Sequence, residues 1–182
     1  MSQNLRLALF DYDGTIVDSA IMIVEGAIAA FRICGLPDPD PAKVRENIGK
    51  PLAIALDDYM PPGFNVTPNE ISEAYRSWYA EQGRLGLQNE PLYPGIVELL
   101  KELKSNDWLI GIATNKSRIG LTNGLAKHNL SDMFDITLST DENIAKPNPA
   151  MAIRAMNELG VEKKYCVMIG DCLLYTSDAA DE

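Results

Sequence analysis

The chain has 182 residues, 46% of them hydrophobic, and a formal net charge of −10. That apolar share suits one packed domain, or a core with a small insertion, and excludes a disordered chain. The acidic balance disfavours nucleic acid and anionic membrane surfaces as partners.

The first element is the apolar run Leu5 to Phe10, which reads as a short buried strand. It ends in Asp11-Tyr12-Asp13-Gly14-Thr15. Alternate strand residues share a face, so Asp11 and Asp13 project to one side of the strand end. Gly14 permits a sharp turn that brings main-chain N–H groups towards a bound anion. A divalent cation between the two carboxylates would relieve their repulsion. Taken alone, the stretch fits an acidic turn as well as a site.

Helical patterns follow. Ile21, Val24, Ile28 and Phe31 fall on one face, with Gly35 as a stop. Asp40-Pro41 opens a short helix through Ile48, and Leu52, Leu56 and Tyr59 continue at helical spacing until Pro61-Pro62. Thr67-Pro68-Asn69-Glu70 has capping-box spacing ahead of Ile71, Tyr75, Trp78 and Tyr79. Ser19 to about Asn89 thus holds helices and no strand, which is too long for a connection and predicts an inserted helical subdomain.

From Pro94 helices and strands alternate. Ile96, Leu99, Leu100 and Leu103 mark a helix, Trp108 to Ala113 a strand, Leu121 and Leu125 a helix, and Ile136 to Leu138 a strand. Asn148-Pro149 opens a helix with Ile153, Met156 and Leu159 on its face and Gly160 at its end; Tyr165 to Ile169 is a fourth strand. This alternation predicts an α/β fold with a doubly wound parallel sheet, whose sites collect at the carboxyl ends of strands.

Those ends carry Asp11 and Asp13, then Thr114-Asn115, then Gly170-Asp171, with Lys146-Pro147 ahead of the Pro149 helix. Three carboxylates, a hydroxyl, an amide and an ammonium suit phosphoryl transfer through Mg²⁺: oxygen ligands hold the hard cation, and the other groups neutralise phosphoryl oxygens. Each group has an ordinary alternative: Thr114 as a helix cap, Lys146 as a solvated lysine, Asp171 as a turn residue. The specific signal is their joint order at successive strand ends.

Other residues carry less. His128, the single histidine, sits late on a helix and reads as a surface or capping residue, and Trp78-Tyr79 as helical-subdomain core. Cys34, Cys166 and Cys172 show neither metal-ligand spacing nor a disulfide framework. No run approaches the length of a membrane span, and no signal pattern opens the chain, so a soluble, cytoplasmic protein is expected.

The ordered set Asp11-Tyr12-Asp13-Gly14-Thr15, Thr114-Asn115, Lys146-Pro147-Asn148-Pro149 and Gly170-Asp171 resembles the four motifs of the haloacid dehalogenase superfamily, in its phosphoglycolate-phosphatase-like branch. The resemblance implies a Rossmann-like core at 1–18 and 90–171 with a helical cap at 19–89. It implies Asp11 as nucleophile forming an aspartyl-phosphate, and Asp13 as the acid that protonates the leaving oxygen and then activates water. Mg²⁺ would be held by Asp11, the Asp13 carbonyl and Asp171. Thr114, Asn115 and Gly14 would bind the phosphoryl group, and Lys146 would neutralise Asp11 and the transferring oxygens. Members that cleave carbon–halogen bonds lack the second aspartate, so this chain is expected to act on phosphate esters of small metabolites such as 2-phosphoglycolate. Arg45 and Lys50 occupy the cap stretch that faces the active site in related enzymes and are candidates for substrate recognition; a solvated charged face fits them equally.

A phosphosugar mutase would use the same core. A phospho-acceptor signalling module shares acids, Thr and Lys on a doubly wound sheet, but lacks the helical insertion. The family's fourth motif continues to an acid four or five positions on, where this sequence has Tyr175 and Thr176, and Asp178 lies too far along. Residues 172–182 resemble translated read-through at the end of a gene fragment, so a non-native tail and an inactive, C-terminally incomplete chain are also expectations.

Overall fold

The computed structural model describes residues 5–171; the expectations for Cys172, Tyr175, Thr176, Asp178 and the 172–182 tail lie outside them. The described residues form two compact units: 5–17 together with 92–171, and Asp18–Pro91.

The first unit is a four-stranded parallel sheet in the order β3-β2-β1-β4. Its strands are β1 (Arg6–Phe10), β2 (Trp108–Thr114), β3 (Ile136–Ser139) and β4 (Cys166–Ile169). β1 lies centrally, with Phe10 opposite both Ile112 and Ile169. Side-chain alternation sends Ala8 and Phe10 to one face, against Ile96, Leu100, Leu121 and Leu125, and Leu7 and Leu9 to the other, against Met151 and Ala155. A strand covered on both faces must be apolar at every position, which is why Leu7 to Phe10 form an unbroken run. Each large side chain buried this way contributes about 1.5–3 kcal/mol. Gly111 keeps the β1–β2–β3 packing close: a Cβ there would meet Leu9 Cδ1 at 2.7 Å and Ile136 Cγ2 at 2.8 Å.

The second unit holds α1 (Ala20–Ile33), α2 (Pro41–Glu46), α3 (Leu52–Asp57) and α4 (Pro68–Arg84). Asp40 caps α2 by accepting from Ala42 N at 2.9 Å. Thr67 and Glu70 form the expected capping box, Glu70 Oε2 accepting from Thr67 N at 2.7 Å and Thr67 Oγ1 from Glu70 N at 3.3 Å. α1 packs on α4 through small residues, and a Cβ on Gly26 would come within 2.6 Å of the Tyr75 ring. Tyr79 stacks on Tyr75 with ring centroids 5.8 Å apart and donates its hydroxyl to buried Glu90.

The remaining helices, α5 (Ile96–Ser105), α6 (Arg118–Lys127) and α7 (Ala150–Leu159), belong to the sheet unit. Some sequence expectations need correction. Ile21, Leu99 and Ile153 are exposed, whereas Met22, Ala27, Ala30, Met151 and Ala155 are buried: the helical spacing holds, but the packed face is turned away from these three side chains. Tyr165 closes a 3-10 turn instead of opening β4, Leu5 precedes β1, and α2 stops at Glu46, before Ile48. His128 is the C-cap residue of α6. Among the described residues, no helix is long and apolar enough to cross a membrane.

Candidate active site

The parallel sheet places the ends of β1, β2 and β4 side by side, and the polar residues converge there. Asp11 leaves β1 with its N–H donated to Ile169 O at 2.8 Å, so its main chain is still held by β4. Its carboxylate is 3% exposed; Oδ1 accepts from Tyr12 N at 2.7 Å and Oδ2 is ion-paired with the Lys146 ammonium. Lys146 is 5% exposed. Burial pushes the Asp11 carboxyl above its ordinary value, Lys146 opposes that rise, and nearby Asp13 adds to it.

Asn115 holds Lys146 in place. Its Oδ1 accepts from Lys146 N at 2.8 Å and its Nδ2 donates to Lys146 O at 3.1 Å, so one side-chain amide clasps the peptide on both sides. The Asn115 side chain thus meets the Lys146 peptide beside the place expected for a phosphoryl group. The Lys146–Pro147 bond is cis.

The turn after β1 folds on itself: Tyr12 O accepts from Ile16 N at 2.9 Å and Val17 N at 3.2 Å. Gly14 N donates to Val17 O at 2.9 Å, closing the sharp turn. The glycine also makes room for a neighbour. Its φ is +77°, and a Cβ there would overlap the Asp171 carboxylate, so the absent side chain is what admits Asp171 beside the turn.

Thr114 ends β2, is buried, and its Oγ1 accepts from Lys116 N at 3.1 Å. Ser117 caps α6 by accepting from Gly120 N at 3.2 Å, which rules out Thr114 as that cap. Sequence reasoning missed Lys116, whose Nζ lies 3.0 Å from Asp13 Oδ1. Nothing in its local sequence separates it from a solvated lysine.

Among the described residues, no three acidic, histidine or cysteine groups are gathered tightly enough to enclose a metal ion as the side chains stand. The donor set nevertheless fits a hard cation. Asp11 and Asp171 offer carboxylate oxygens and Asp13 a carbonyl oxygen, the missing Gly14 Cβ leaves the cradle that receives Asp171, and Asp13 acts electrostatically on both other acids. The Asp171 carboxyl is raised, first by local desolvation although the residue as a whole is exposed, with Lys146 lowering it and Asp13 raising it.

Arg45 and Lys50 belong to the helical unit. Arg45 lies in the last turn of α2, and Lys50 Nζ is 2.6 Å from Asp58 Oδ2.

Known proteins resemble this chain in fold and in sequence. A haloacid dehalogenase-like family protein from Streptococcus pneumoniae superposes with a TM-score of 0.74 at 26% identity, over 94% of this chain and 78% of that one. A hydrolase from Pseudomonas syringae gives 0.79 at 23% identity, over 97% and 80%, a likeness of fold. In sequence, “Probable phosphatase IndB” of Dickeya dadantii is 32% identical over 91% of this chain and 72% of its own length. A phosphoglycolate phosphatase of Vibrio vulnificus is 28% identical over 93% and 76%. The pattern of the haloacid dehalogenase-like hydrolases matches residues 8–180, and the chain belongs to that family.

Proposed function

We propose that this hydrolase is a Mg²⁺-dependent phosphatase acting on monoesters of small metabolites, 2-phosphoglycolate among them, through a phosphoaspartyl enzyme. That it is a phosphatase follows from its family together with relatives named phosphatases over 91% and 93% of the chain. The finer reading rests above all on the buried Asp11–Lys146 pair at the end of the central strand, with Asp13 two residues on.

Asp11 is the nucleophile. A carboxylate oxygen attacks phosphorus and the ester P–O bond breaks. The Lys146 ammonium, next to Asp11, neutralises charge on the transferring oxygens, and the Thr114 hydroxyl donates to one of them. Asp13 gives its proton to the departing alkoxide. Once ionised, it takes a proton from water, whose oxygen attacks phosphorus and releases inorganic phosphate and Asp11. Asp11, the Asp13 carbonyl and Asp171 would hold Mg²⁺, which supplies charge neutralisation between the carboxylates and the phosphoryl group. Arg45 and Lys50 would serve substrate recognition, as cations in a chain whose net charge is −10. The helical unit that carries them would be the cap.

Phosphate release from a panel of phosphorylated metabolites, with and without Mg²⁺, tests this. Mg²⁺-dependent release is expected. An isomeric sugar phosphate in place of free phosphate would make the enzyme a mutase, and turnover indifferent to chelation would overturn the metal assignment.

A further inference from the structure

We propose that Lys116 is a positioning residue that fixes the Asp13 carboxylate for proton transfer; this rests on the phosphatase reading above. Lys116 and Asp13 side chains are only 10% and 14% exposed, and Nζ lies 3.0 Å from Oδ1. An ordinary surface lysine stays hydrated, whereas this side chain is largely withdrawn from water where it meets the Asp13 carboxylate. Two further contacts fix its path. The ammonium stands 5.6 Å from the centroid of the Tyr12 ring, within cation–π range, and the Lys116 N–H donates to Thr114 Oγ1 at 3.1 Å.

Each contact reaches a different part of the site. Tyr12 lies between the two aspartates in sequence, is fully buried, and has its hydroxyl packed where a Gly124 Cβ would stand, so it gives the lysine a rigid wall. Thr114 ends β2, so the residue that grips Asp13 is tied to the strand end carrying the hydroxyl assigned to the phosphoryl group. The distance between proton donor and phosphoryl seat is therefore fixed through Lys116.

Asp13 needs such a constraint. It lies close enough to Asp11 and Asp171 to raise both of their carboxyls, and like charges so near repel one another. A general acid works only within about 2.6–3.2 Å of the atom it protonates. Lys116 offers a charged partner that holds one carboxylate oxygen and leaves the other to face the leaving group. Lys116 acts on the reaction through its contact with Asp13.

The test compares wild type, Lys116→Met and Lys116→Arg on two substrates. 2-Phosphoglycolate has an alkoxide leaving group that needs a proton; p-nitrophenyl phosphate has a leaving group that departs without one. Lys116→Met should lower kcat on 2-phosphoglycolate about 10- to 100-fold, part of the full worth of general acid catalysis, and on p-nitrophenyl phosphate only about threefold. KM should change little, and Lys116→Arg should recover much of the loss. Equal loss on both substrates, or none on either, would overturn the proposal. A second readout needs no turnover: the Asp13 carboxyl carbon resonance in the resting protein should move in Lys116→Met and return towards wild type in Lys116→Arg. An unmoved resonance would overturn the pairing by itself. Wild type that releases no phosphate from any ester while the resonance moves would instead overturn the phosphatase reading and leave the pairing established.

Discussion

Asn115 clasps the peptide of Lys146, accepting from its N–H at 2.8 Å and donating to its carbonyl at 3.1 Å. The lysine whose ammonium meets Asp11 is thus aimed by a residue from the end of a different strand. Asn115→Ala should remove both bonds, cost about 1–3 kcal/mol of stability, and lower kcat more than KM. Asn115→Asp keeps the acceptor and loses the donor, so it should fall between. Thermal melts and steady-state kinetics on the two variants check this.

Lys146 and Asp11 neutralise each other where little water reaches. Removing one partner of such a pair typically costs about 3–5 kcal/mol, because the other charge stays buried alone. Lys146→Met should therefore lose both activity and stability. Asp11→Asn combined with Lys146→Met should be more stable than Lys146→Met alone, since no charge is then stranded. Denaturant titrations of the single and double variants in chelator measure the coupling, and simple additivity would deny it.

Gly14→Ala introduces a Cβ at φ +77° in the space that the Asp171 carboxylate occupies. The expected result is a modest stability loss of about 1 kcal/mol from backbone strain and a weaker affinity for Mg²⁺, as Asp171 is pushed from its cradle. Isothermal titration with Mg²⁺ separates the two effects, and unchanged affinity would remove Asp171 from the ligand set.

Tyr59 offers a pH test within the helical unit. Burial, with Asp58 adding, pushes its phenol from 10.0 up to about 12. The unfolded chain then loses this proton before the folded one, so the group costs no stability below pH 10 and destabilises progressively between about 10 and 12. Tyr59→Phe should show a shallower alkaline decline in melting temperature than wild type over that window. Parallel declines would mean the phenol is not buried as described.

The strands were legible because a sheet covered on both faces needs unbroken apolar runs, and Leu7 to Phe10 and Leu109 to Ala113 supply them. Asp11, Lys146 and Asp171 were legible as polar residues interrupting that rhythm where parallel strands end. The contacts that Asn115, Gly14 and Lys116 make were not. Asn115 and Gly14 do their work through partners remote in sequence, Lys146 and Asp171, which only the crossover connections bring close. Lys116 reads as a solvated lysine until the chain places Asp13 beside it. On α1 the expected Val24 and Phe31 are buried while Ile21 is exposed, and on α7 Met151 and Ala155 are buried while Ile153 is exposed, because periodicity identifies the helix but not which edge of its apolar face is packed.

The central claim is that Asp11 carries the phosphoryl group. The most direct measurement is acid-quenched turnover of 2-phosphoglycolate with Mg²⁺, followed by peptide mass spectrometry across Asp11. The account predicts one phosphoryl group on the Asp11 peptide of wild type and none in Asp11→Asn, which should not turn over. A phosphorylated residue elsewhere, or undiminished turnover by Asp11→Asn, would contradict it.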